Sequence, residues 1–510
     1  MIVKEVKQNM NLINSIRSFL VLLACSFYLL ANAQVYPTGM IDTDETRKLY
    51  EKLELSPSPA SKSGEASLNN VYKVDLSQYA PSVGNQGDIG SCVGWSTSNA
   101  ITISNAMKNN WTKDEIDKKA LSALYIYNNI KLFGCEYGSS LYDAGRWLMS
   151  NGDCSRLAFD TDVNNCEKKV DDNCKNAKRF IIKEFLALFN SESLSKERIY
   201  KTKLSLVDSI PVVVGMDVRR NFFKPQGEFW DPELMDTTYV GGHAMCVVGF
   251  SDAKKAFKIL NSWGKDWGND GYIWVKYKDY KKYCKYAYQY IIKEKDPIVD
   301  DPIVTDENTE VIDDPKESIP ITGQFDFEYY TFDSDDKPVP NVTAAKYDAG
   351  YMYSLAKKDW EYGDLFRFIV KDVPKQRYVY SFSMDASGLN VHYPRGVEFD
   401  ESDNSYSAGE SPIILKRDNI IVPTPDTALI REEEGEDHIC ILYASEKIVD
   451  FTKRLSKLRH SDMPFAEALN DSFGEIFIAA KEINYANDKM AFSANTNKEK
   501  FVVPIYVTMK

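Results

Sequence analysis

The stretch N-Q-G-D-I-G-S-C-V-G-W, Asn85 to Trp95, decides how this chain is read. It offers one cysteine, Cys92, directly after a Gly-Ser pair and at the start of a helix-like run, with Gln86 six residues upstream. Gly87 and Gly90 give the backbone the freedom a substrate-facing loop needs. A thiol at a helix N-terminus meets free backbone N–H groups and the positive end of the dipole, which favours thiolate. Thiolate is the nucleophilic form, so Cys92 is a candidate for covalent catalysis.

Most cysteines in a chain of this size are buried fillers or disulfide halves, so Cys92 needs a matching base. The chain has only four histidines, and His392, His438 and His460 lie far downstream. His243 is the imidazole left to the first half, in Y-V-G-G-H-A-M-C-V-V-G-F, where glycines precede it and an apolar strand-like run follows. Eighteen residues later comes N-S-W-G-K-D-W-G-N-D-G-Y, in which Asn261 can orient the imidazole through a hydrogen bond. Cysteine, histidine and asparagine make up the sulfur variant of the serine triad.

The blocks Q-G-x-x-G-S-C, G-H-A-x-x-V-V-G-F and N-S-W-G-x-x-W-G-x-x-G-Y resemble, in order, the three signatures of the papain-like cysteine peptidases. The resemblance implies Cys92 as nucleophile, His243 as general base and acid, and Asn261 as orienter. It implies Gln86 as side-chain donor of the oxyanion hole beside the Cys92 backbone N–H. Trp263 would shield the His–Asn hydrogen bond from water, and Gly242 would face substrate. A thiolate–imidazolium pair would lower the Cys92 pKa by several units. The implied fold is α+β with two lobes, helical first and β-barrel-like second, and a cleft between them. Two positions depart from the pattern. Ile89 replaces the disulfide cysteine often found three residues before the nucleophile, and Val93 replaces the usual aromatic after it. Both suggest a bacterial branch. No metal or cofactor is expected: there is no C-x-x-C and no second histidine nearby.

A length of 510 residues fits two or three domains. The net charge of −13 argues against nucleic acid or an anionic membrane as partner. Residues 1–33 read as a secretory signal peptide, with Lys4, Lys7 and Arg17 before an apolar run and Ala31-Asn32-Ala33 as cleavage site. An exported location follows, with membrane attachment only if Cys25 is lipidated. Residues 34–70, centred on S-P-S-P-A-S-K-S-G, read as a polar linker, mobile arm or short pro-segment. The peptidase domain is expected over 71–295. Its helices are read at Ala120–Leu132 and Ser140–Ser150, and its β-rich runs from Pro211 onward. Phe222, Phe223, Phe229 and Trp230 form either a cleft wall or a packed aromatic plug. In an exported chain Cys166 with Cys174, and Cys135 with Cys154, are plausible disulfides, although connectivity is not fixed by sequence.

Residues 296–319 form an acidic, proline-containing linker; nine acidic residues stand against one lysine in Asp296–Glu317. Residues 320–510 read as a separate, mostly-β accessory domain with helices at Ile448–Arg459 and Met463–Asn470. Gly363 to Phe451 resembles an accessory domain of uncharacterised function found beside caspase-like and papain-like peptidases. His438 and Cys440 alternate on one strand and read as a packed pair. A binding role, toward protein or a surface component, is the default for this half. The whole reads as an exported peptidase acting on polypeptide substrates. The alternatives are a thiol transferase, an enzyme of cell-wall peptides, or a catalytically silent scaffold.

Overall fold

The structure is a computed structural model that describes residues 37–59, 70–159, 166–168, 174, 180–293, 319–400, 402, 405–407, 409–432, 435–496 and 500–510. The signal-like residues 1–33 lie outside these, as does the acidic stretch 296–319 except its last residue.

Chain order in the first half is α1 (Asp44–Glu51), β1 (Lys73–Asp75), α2 (Cys92–Lys108), α3 (Lys113–Lys119), α4 (Ala123–Ile130) and α5 (Leu141–Ser150). Then follow β2 (Ile182–Ala187), α6 (Ser195–Val207), β3 (Val212–Arg219), β4 (Phe229–Trp230), β5 (Tyr239–Ser251), β6 (Ala256–Leu260), β7 (Tyr272–Lys276), α7 (Tyr277–Tyr283) and β8 (Cys284–Ile292).

The helices start where the hydroxyl caps lie. Ser122 accepts from the Tyr125 amide, and Ser140 from those of Tyr142 and Asp143. The first of these begins three residues later than Ala120, because Leu121 bridges Ser155 and Ala120 accepts from the Arg156 amide. Helix α2 is rich in Ser and Thr and is buried along most of its length. Thr97 and Thr102 donate to the carbonyls of Val93 and Ser98, so their hydroxyls need no solvent.

The sheet runs β2-β8-β3-β5-β6-β7-β4, with β1 added to β5. Its core and that of the helical lobe merge into one cluster, which includes Cys92, Ile101, Leu124, Val213, Val247 and Trp263. Two disulfides, Cys135–Cys166 and Cys154–Cys174, fasten the helical lobe. They pair crosswise to the sequence expectation. Their Cα separations of 5.8 and 5.6 Å suit a bridge, and only the fold could reveal that proximity. Cys284 is free and buried.

In the second half, a sheet built on Ile319–Phe332 and Leu365–Val373 faces a second built on Tyr378–Met384, Asp437–Ala444 and Val502–Met509. Phe325, Phe327 and Phe368 meet Ile439, Ile441 and Ile505 between them. Helices Phe451–Arg459 and Phe465–Phe473 cover the far face of the second sheet, where Leu455 and Leu469 join a cluster that also holds Leu186 and Ile291 of the first half. The two halves therefore share an apolar contact. His438 stacks on Phe465 at 4.4 Å and Cys440 is buried, so the pair is packing.

Of the stretch 34–70, read as polar linker, mobile arm or short pro-segment, residues 34–36 and 60–69 lie outside the described residues. Residues 37–59 form a strap along the first half, held by backbone bonds. The polarity of that stretch concealed this, because a strap bound through its main chain needs few apolar side chains.

Candidate active site

Cys92 opens helix α2 with Ser91 at the N-cap, and His243 lies in β5. The Ala244 amide donates to Cys92 Sγ at 3.5 Å, so the sulfur lies against the strand that carries the imidazole. His243 Nε2 meets Asn261 Oδ1 at 2.7 Å, leaving Nδ1 for the sulfur side. The Trp263 ring stacks on the imidazole with centroids 4.4 Å apart. Cys92, His243 and Gln86 are 0 % exposed and Asn261 is 1 % exposed.

The nucleophile loop is pinned to the asparagine block. The Gln86 amide donates to Ser262 O at 2.8 Å, and the Gly264 amide to Gly84 O at 2.9 Å. Ser262 Oγ donates to Gln86 Oε1 at 2.7 Å, which aims the Nε2 group toward the cleft. Ser262 was missed by residue-type reasoning, though it lies inside the quoted N-S-W. Behind Trp263 stand Phe222 and Trp267, with Trp267 Nε1 donating to Phe222 O at 3.0 Å. Phe222 and Trp230 are fully buried. The aromatic loop is thus a plug behind the histidine rather than a wall of the cleft.

The cleft is filled by the chain itself. Met40 N donates to Gly242 O at 3.2 Å, Ile41 N to Ser139 O at 3.0 Å, and Ser139 N to Gly39 O at 2.8 Å. Met40 pairs antiparallel with Gly242 on the sheet lobe and parallel with Ser139 on the helical lobe. Its side chain packs where a Cβ on Gly215 would lie 2.3 Å from its sulfur, with Tyr286 alongside. Gly39 passes so close that an added Cβ would sit 2.0 Å from Gly90 O.

Gln86 Nε2, the expected oxyanion donor, donates to Ile89 O at 2.9 Å and to Pro37 O at 3.2 Å. The arm thus puts a carbonyl where that donor points. A backbone N–H of Gly39 faces Cys92 Sγ.

Covering the site sets its protonation. Burial pushes the Cys92 thiol up to about 11, against smaller opposing effects of the Ala244 and Gly39 amides. Burial also pulls His243 down to about 4, against the Asn261 hydrogen bond. Both groups are therefore neutral near pH 7, and the expected thiolate–imidazolium pair is not formed in this covered state. The cause is desolvation of both charges at once.

The comparisons with known proteins fall on this half. Residues 72–293 match the family model described as papain family cysteine protease. This segment has a papain-like fold. An uncharacterized peptidase C1-like protein of Acanthamoeba polyphaga mimivirus is 34% identical over 93 residues, covering 18% of this chain and 30% of that protein. Cysteine proteinase 3 of Solanum lycopersicum is 26% identical over 242 residues, covering 45% of this chain and 65% of that one. The chain thus spans less than two thirds of the length of these curated relatives. Among solved structures, xylellain, a cysteine protease from Xylella fastidiosa, aligns at 23% identity with a TM-score of 0.40, covering 51% of this chain and 96% of that one.

Proposed function

We propose that this protein is an exported cysteine peptidase, held latent by its own residues 37–42. The observation that carries the reading is the bound arm. An extended polypeptide backbone is hydrogen-bonded along both lobes beside Cys92, so the cleft is built to take polypeptide.

With the arm displaced, Cys92 and His243 regain solvent and a thiolate–imidazolium pair becomes favourable. The thiolate attacks the scissile carbonyl carbon, forming a C–S bond. Gln86 Nε2 and the Cys92 backbone N–H receive the oxyanion, one such donor being worth about 3 kcal/mol in the transition state. His243 delivers its proton to the amine as the C–N bond breaks. It then takes a proton from water, whose oxygen attacks the thioester carbon and releases Cys92. Asn261 and Trp263 hold the imidazole in place throughout.

Export is supported by the signal-like N-terminus and by two disulfides, which persist in oxidising compartments. Ile89, in place of the usual cysteine, supports a bacterial branch.

The test is hydrolysis of a denatured polypeptide, and labelling by an epoxide-type thiol inactivator, after arm displacement. Cys92→Ala should abolish both. Labelling without hydrolysis, or cleavage confined to cell-wall peptides, would replace the reading.

A further inference from the structure

The strap does not end at the cleft. Past α1 it runs between the two halves of the chain, where Leu55 is a β-bridge to both. On one side Ala187 N donates to Glu54 O at 3.1 Å and Ser56 N to Ala187 O at 2.7 Å, extending edge strand β2. On the other, Leu55 N donates to Gly409 O at 3.2 Å and Ser411 N to Leu55 O at 2.8 Å, joining the C-terminal domain.

Charged side chains close over this strand from both halves. Lys201 donates to Ser56 O at 2.7 Å and lies 3.3 Å from Glu410 Oε1, with both side chains largely buried. Ser58 Oγ also donates to Glu410, and Arg395 Nη1 to the carbonyls of Ser58 and Pro59 at 3.4 Å. Lys447 pairs with Glu54 at 2.6 Å.

Between latch and cleft there is little slack. The Tyr50 hydroxyl donates to Phe189 O and accepts from the Ala287 amide, while Asp42 accepts from both Arg47 and Tyr286. Contiguous segments bound in this way open as cooperative units.

We infer that the C-terminal domain is a latch on the self-blocking arm: it grips residues 54–59, so that access to Cys92 is governed from the accessory domain. The inference rests on the latency reading and names its regulation. A partner that displaced the 409–411 strand from Leu55 would release the arm.

The test uses the full chain with two readouts: amide deuterium exchange at Met40 and Ile41, and iodoacetamide alkylation of Cys92 located by peptide mapping. Glu410→Ala and Lys447→Met remove latch groups that touch neither the cleft nor the catalytic residues. Glu410→Ala should accelerate both readouts about tenfold or more, as expected when a buried charge-assisted contact is lost, and Lys447→Met, which breaks a half-exposed pair, about three- to fivefold. Gln376→Ala breaks a contact between the two halves, to Ile292 O, that includes no arm atom; it should change either readout less than about twofold.

Wild-type exchange at Met40 and Ile41 in both latch variants, with residues 54–59 exchanging faster, overturns the inference. So does an equal response to Gln376→Ala. Lys447→Met decides alone if Glu410→Ala does not fold. Exchange does not depend on catalysis, so a failed peptidase assay with coupled exchange sinks the activity reading and leaves the latch.

Discussion

Once its thiol partner is removed, this cleft should open in acid, and the size of the effect follows from His243. Under the arm its pKa is pulled to about 4 by burial, whereas an exposed imidazole with no thiolate beside it titrates near 6.5. In Cys92→Ala, between those values, the open state binds a proton that the covered state does not, so the covered state loses stability as pH falls. At pH 7.5 the contribution is fully present. At pH 5 it has fallen by about 2 kcal/mol, or about thirtyfold in the open population. The loss nears completion as pH passes through about 4. Asp42 adds to the trend only in stronger acid: burial opposes, but hydrogen bonds from Arg47 and Tyr286 keep its carboxyl below the usual range. On the alkaline side, Cys92 at about 11 under the arm removes stability only above pH 9. The assay is deuterium exchange at Met40 and Ile41 from pH 7.5 to 5, expressed as protection against intrinsic rates. Protection should fall about thirtyfold in Cys92→Ala, stay nearly flat when His243→Gln is added to it, and change little in the wild type, whose open thiolate–imidazolium pair carries the same single proton as the covered neutral pair. A flat profile in Cys92→Ala, or the same slope once His243→Gln is added, would refute desolvation of the imidazole as the acid-sensitive element.

Gly39→Ala forces a Cβ onto Gly90 O, so it should expel the arm and raise Cys92 alkylation at neutral pH without altering the catalytic groups. Gln86→Ala should split two effects: faster arm exchange, because the bond to Pro37 O is lost, and a kcat about a hundredfold lower in arm-displaced enzyme, measured by peptide hydrolysis. Tyr50→Phe leaves Phe189 O and the Ala287 amide short of a buried partner and should cost about 1–3 kcal/mol in denaturant melts. Trp263→Ala empties the space between His243, Phe222 and Trp267 and should cost about 3–5 kcal/mol, with kcat lowered as the imidazole loses its support.

The clustering of the candidate site residues was legible because the chemistry proposed for them is carried by residue identity. Cys92, His243 and Asn261 are scarce types within distinctive blocks, and the lone imidazole of the first half left little choice of base. The helix start at Leu141 was legible to within one residue, whereas the start at Ala123 was placed three residues early, because Ala120 and Leu121 pair with residues 155–156 instead. The disulfides were not, because four cysteines within 40 residues allow several pairings and only the fold chooses among them. Nor was the aromatic loop, since Phe222 and Trp230 have the same composition whether they line a cleft or fill a core. The arm was least legible of all. Its grip is made by main-chain atoms of Gly39, Met40, Ile41 and Leu55, which have no sequence signature.

That main-chain grip also explains why the arm can lie beside a nucleophile without being its substrate. Cleavage needs one carbonyl to satisfy two demands together: its carbon at the sulfur and its oxygen at the Gln86 donor. Here the demands fall on different residues, with the Pro37 carbonyl at Gln86 and the Gly39 N–H toward Cys92. The parallel pairing of Met40 with Ser139 keeps this offset, because Ser139 bonds to Gly39 O and Ile41 N, the two residues flanking Met40. Sliding the arm by one residue would keep the backbone pattern along Ser139 and Gly242 but replace the Met40 side chain in the space at Gly215 with that of a neighbour. On the latency reading, register, set by one methionine and two glycines, would separate inhibitor from substrate in this cleft.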